Sequence, residues 1–66
     1  MNTLAERLKI AREKTGLSQA QLAESIGVSQ QSVAKIENGD TLQPRKIKEI
    51  ANVLGVSQKW LQLGIE

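Results

Sequence analysis

Apolar positions recur along this chain in short bursts with a helical step, and a glycine follows each burst. Leu4, Leu8 and Ala11 lie three and four residues apart, and Gly16 comes after them. Leu22, Ala23 and Ile26 repeat the pattern before Gly27, and Val33 and Ile36 repeat it before Asn38-Gly39. Ile47, Ile50, Ala51 and Leu54 form the longest stripe, closed by Gly55. Trp60, Leu61 and Leu63 make a last short segment before Gly64. Spacings of three and four place such residues on one helix face, and glycine takes up the left-handed turn past a helix end. No stretch alternates with period two for long enough to be a strand. The pattern predicts an all-α fold of five short helices in a single domain over residues 1–66.

The segments open with residues suited to a helix's unpaired amides. Thr3 with Glu6 and Ser18 with Gln21 have capping-box spacing, and Ser29 and Ser57 are good N-caps. Asp40 to Gln43 reads as a loop. Pro44 suits the first turn of the fourth helix, where its missing amide is not needed. Between the second and third segments only Gly27 and Val28 separate Ile26 from Ser29. So short a connection with glycine in it turns the chain sharply, giving a helix-turn-helix with a crossing of about 90–120°. Ala23 is small where the two helices should approach, and Val28, Val33 and Ile36 fix the second of them on the core.

Composition then removes whole classes of function. There is no Cys and no His. Disulfide frameworks, zinc fingers, thiol nucleophiles and histidine bases are therefore excluded, and serines have nothing to activate them. No cofactor or metal is expected, and an enzyme is not expected. The longest apolar run is far short of the ~20 residues that span a bilayer, so no membrane partner is expected. Charged residues interrupt the N-terminal stretch, which does not read as a secretory signal. The expected location is the cytoplasm. Nine basic and seven acidic residues give a net charge of +2, which permits a nucleic-acid partner without demanding one. Trp60 is the single aromatic residue, too few rings for stacking on single strands.

The stretch from Ser18 to Gly39, SQAQLAESIGVSQQSVAKIENG, carries the most information. With the opening TLxERLK at Thr3–Lys9, the T-x-x-PR at Thr41–Arg45 and the closing IAxxLGVSxxWLQxG, it resembles one family across nearly the whole chain. That family is the Cro and CI repressors of lambdoid phages, and within it the phage 434 type. The resemblance implies that the helix starting near Gln30 and running to about Glu37 lies in the DNA major groove. It implies Gln30, Gln31 and Lys35 as base-edge readers and Gln19 as a phosphate contact. Ser32, Asn38 and Arg45 then fall near the backbone or minor groove. Arg12 and Glu37 become a structural ion pair between the first and third helices. Contact between two copies is implied around Arg45–Lys48 and Val56–Trp60.

Residue chemistry agrees with that expectation. Glutamine can bond two-pronged to adenine N6 and N7, and lysine can donate to guanine O6 and N7. The same glutamines outside this setting would read as a solvated face. The sequence also departs from the relatives it resembles. Leu42 and Gln43 replace two basic residues, Ala11 replaces another, and Lys46 replaces a phenylalanine. Fewer cations should lower backbone affinity and flatten its salt dependence. The expected function is a transcriptional repressor in a bacterial host cell, binding a palindromic double-stranded operator as a homodimer. Two alternatives stay open: the N-terminal domain of a two-domain CI-type repressor, and an antitoxin-like protein-interaction module of the same fold.

Overall fold

The computed structural model describes residues 3–65. Five helices follow one another: α1 (Leu4–Lys14), α2 (Gln19–Ile26), α3 (Gln30–Glu37), α4 (Ile47–Leu54) and α5 (Gln58–Leu63). No strand occurs among the described residues, as the periodicity predicts.

Local chemistry sets the helix starts. Thr3 Oγ1 accepts from the Glu6 amide at 3.1 Å and donates to Glu6 Oε1 at 3.1 Å. Ser18 and Gln21 form a full capping box, with reciprocal bonds of 3.0 and 2.8 Å. Ser29 and Ser57 each accept from the amide three residues on, at 3.2 Å. Such caps stabilise a helix by about 1 kcal/mol each. Gly27 makes the turn between α2 and α3 at φ +74°, and the Val28 amide reaches back to the Ala23 carbonyl at 3.0 Å. A side chain at that left-handed position costs about 1–2 kcal/mol, so glycine there fixes the turn.

The fourth helix begins later than the proline suggests. The Pro44 carbonyl accepts from the Ile47 amide at 3.3 Å in a single turn, and the helix starts only at Ile47. Lys46 precedes it with φ −99° and ψ +23°, outside helical geometry, and makes no side-chain cap. Leu63 also departs from expectation. It is 61% exposed because it lies two residues, about 200° of helical turn, from the buried Leu61.

Leu8, Leu22, Val33, Ile50 and Leu61 are fully buried, one from each helix. Burying a side chain of this kind stabilises by about 1.5–3 kcal/mol, so every helix is tied to one shared core. Leu17, Val28, Ile47, Val56 and Trp60 pack against it from the margin. α3 packs on α2 and α1, while α4 packs on α2 and α5. Among the described residues one charged residue is buried along with its backbone. Arg7 is buried, its Nε donating to the Leu61 carbonyl at 2.9 Å and its Nη2 to the Gln62 carbonyl at 3.1 Å. Helix carbonyls at a C-terminus carry partial negative charge, so the guanidinium of α1 caps α5 with no carboxylate partner among the described residues.

Candidate nucleic-acid interface

Val33 and Ile36 are the buried residues of α3, and they hold one side of the helix against α1 and α2. At 100° per residue the opposite side carries Gln31, with Ala34 and Lys35 to either side of it. Gln30, Gln31 and Lys35 are all exposed, and none makes a side-chain hydrogen bond or ion pair to the described residues. Free amides on a rigidly seated first turn are what base-edge recognition needs, because no internal bond must break before an external one forms.

Glu37, at the end of α3, fixes the helix relative to its neighbours. Its Oε2 accepts from Arg12 Nε at 2.6 Å and its Oε1 from Arg12 Nη2 at 3.1 Å. The Arg12–Glu37 pair inferred from family resemblance is thus present, and both side chains are largely covered, at 11% and 4% exposure. The hydrogen bond to Glu37 is the main cause of an Arg12 pKa raised above its ordinary value; burial opposes it. Arg12 Nη1 also donates to the Leu17 carbonyl at 2.8 Å, bracing the connection between α1 and α2.

Gln19 sits half-buried at the start of α2, and its Nε2 donates to Glu37 Oε1 at 3.1 Å. Sequence reasoning missed this bond, which joins residues 18 apart. One amide hydrogen of Gln19 remains for an outside acceptor. Asn38 is the exposed C-cap of α3, at the far end of the helix from Gln30, and faces a hollow shared with Thr3, Leu4 and Leu42. Ser32 Oγ lies 3.1 Å from Ser29 Oγ, on the flank of α3 that faces the loop leading to α4. Arg45 is exposed in that loop. The structure thus brings Gln31 and Lys35 to the outer side of α3, with Gln30 and Ser32 exposed on its flanks. Gln19 stands on one flank of it and Arg45 on the other, while Asn38 stands apart at its end.

The helix-turn-helix family model matches residues 8–61 of this chain. The transcriptional regulator for conjugative element SXT of Vibrio cholerae is 42% identical over 64 residues, which are 97% of this chain and 30% of the regulator. The chain therefore spans less than a third of that relative's length. Among solved structures, the P22 c2 repressor in complex with a synthetic operator superposes with a TM-score of 0.89 at 24% identity. That match covers 98% of this chain and 100% of the other, and it shows a shared fold. Iron(II) HppE in complex with substrate superposes at 0.79 with 38% identity, over 92% of this chain and 37% of that one. The turn at Gly27, the two helices around it and a match over most of the chain lead to one assignment: the chain belongs to the helix-turn-helix family.

Proposed function

We propose that this chain is a sequence-specific transcriptional repressor that binds double-stranded DNA with α3 in the major groove. The observation that carries the reading is the state of Gln30 and Gln31. Both are exposed and free of bonds to the described residues, on a helix anchored by Val33, Ile36 and the Arg12–Glu37 pair. The names of its kin point the same way: the SXT relative is a transcriptional regulator, and the P22 c2 neighbour is a repressor seen with an operator. In this reading Gln30 and Gln31 meet base edges, and Gln19 donates its remaining amide hydrogen to a phosphate. Ser32, Asn38 and Arg45 lie on the backbone side. Two copies bind together, each placing one α3 in successive major grooves on one face of a palindromic operator, in the cytoplasm of a bacterial cell.

A second reading shares the same site and concerns only the rest of the protein. The SXT relative extends well beyond the matched region, which favours a DNA-binding part of a longer CI-type regulator. In either case residues 1–66 are read as the DNA-binding part, with the helix-turn-helix match extending over residues 8–61.

Selection of bound sites from random duplex DNA, at fixed and stated salt, tests the proposal. The expected product is a palindrome with half-site centres about 10 base pairs apart. Recovery of unenriched random sequence would refute sequence-specific binding.

A further inference from the structure

The flank of α3 carrying Ser32 and Lys35 faces the loop that leads to α4, and between them lies an open cleft. Lys35 lines it from the helix side, and Thr41, Arg45 and Lys46 line it from the loop side. No acidic residue lines it. Lys46 is drawn toward Glu49, 3.8 Å away on the exposed surface. Lys35 and Arg45 have no such partner among the described residues. Two unpaired cations therefore face one cleft from two different elements. Its floor is made by core residues, so neither cation can turn inward without losing its hydration.

We infer that Lys35 is a backbone clamp and not a base reader: with Arg45 it grips adjacent phosphates of one DNA strand running along this cleft. The inference rests on α3 lying in the major groove, as proposed above. A helix in that groove has a sugar–phosphate strand on either side, because the groove is only about 12 Å wide. The two flanks of α3 are differently equipped. On the Glu37 flank stands Gln19, a neutral amide already bonded to a carboxylate. On the Ser32 flank stand two cations without a partner among the described residues, facing one cleft. Lys35 follows Ser32 by three residues, so its stem runs beside the cleft that both residues line, and Gln31 keeps the centre of the outward side. The long flexible stem and strongly hydrated point charge of lysine suit a phosphate better than a fixed base edge. Leu42 and Gln43, on the same loop, carry no charge, so Lys35 supplies from the helix what the loop lacks.

The test uses the whole chain, the duplex obtained by site selection and a scrambled duplex of equal length. Binding is measured from 50 to 200 mM salt for wild type, Lys35→Ala, Lys35→Gln and Arg45→Ala. Each substitution is expected to reduce the log–log salt slope by roughly 0.9 on both duplexes, shrinking the loss of affinity across that range by about 3.5-fold. Base preference should stay unchanged. Replacing single phosphates by neutral methylphosphonates then locates the contact. Lys35→Ala and Arg45→Ala should each lose sensitivity at the same phosphate or at its immediate neighbour on one strand. A Lys35→Gln variant that changes preference at one base pair and keeps the wild-type slope overturns the inference. Sensitivity lost on opposite strands overturns it too. Wild type that binds neither duplex refutes the DNA-binding reading itself, a result distinct from either of these.

Discussion

Gln19 Nε2 donates to Glu37 Oε1 across 3.1 Å, so the residue that opens α2 and the residue that closes α3 share a hydrogen bond. The same carboxylate takes two N–H groups from Arg12. Three helices therefore meet on one buried side chain. The exposed side of α3 and the amide at the start of α2 are held in a fixed relation by Glu37, whose carboxylate accepts from both neighbouring helices.

Removing Glu37 should cost far more than removing Gln19. Glu37→Ala leaves the covered Arg12 guanidinium without its carboxylate, and breaking such a pair destabilises by about 3–5 kcal/mol. Gln19→Ala removes one neutral donor and should cost about 1–2 kcal/mol at most. Urea denaturation of both variants checks this, and equal losses would contradict it. The raised Arg12 pKa also fixes a sign. Its folded value lies above its unfolded value, so its contribution is fully present below the unfolded guanidinium range. That contribution is lost only as pH rises through the folded value, in strong alkali. Arg12's share of stability should therefore be flat around neutral pH.

Arg7 and Gly64 form a second linked pair. A Cβ added at Gly64 would stand 3.0 Å from Arg7 Nη1, whose guanidinium is already fixed on two carbonyls. Gly16 has a similar φ, +77° against +75°, but nothing within 4 Å of an added Cβ. Gly64→Ala should therefore lower the melting temperature more than Gly16→Ala. Arg7→Ala should cost about 1.5–3 kcal/mol through lost charged hydrogen bonds. Equal melting temperatures for the two glycine variants would show that the α5 end yields freely around Arg7.

Most of the fold is legible in the residue pattern because the core is a set of helical stripes, and one stripe residue per helix is fully buried. What is not legible involves partners distant in sequence. Arg7 reads as one more surface cation, since its acceptors are backbone carbonyls up to 55 residues away and leave no side-chain signature. The Arg12–Glu37 pair spans 25 residues and is foreseen only through family resemblance. Pro44 has the correct preference for a first helical turn, but the chain uses it for an isolated turn before Ile47. For the site, the outward set on α3 follows from the helical period. The position of Lys35 beside the loop depends on where residues 41–46 pack, which no local pattern encodes.

Off DNA the chain should be mainly monomeric. A chain of 66 residues offers little area for the 1,200–2,000 Å² or so that stable interfaces bury, and Trp60 already packs half-buried against the core. Sedimentation should give a monomer at low micromolar concentration and two copies per operator duplex. A tight dimer without DNA would contradict this.

Whether α3 reads bases is decided at Gln30. Affinities of wild type, Gln30→Ala and Gln19→Ala are compared on the selected duplex and a scrambled one at fixed salt. Gln30→Ala is expected to cost about 1–3 kcal/mol on the selected site, with little change on the scrambled one, and to relax preference at one base pair in each half. Gln19→Ala is expected to weaken both duplexes by about the same factor. If Gln30→Ala instead lowers both affinities equally, Gln30 touches no base, and α3 does not enter the groove by its first turn.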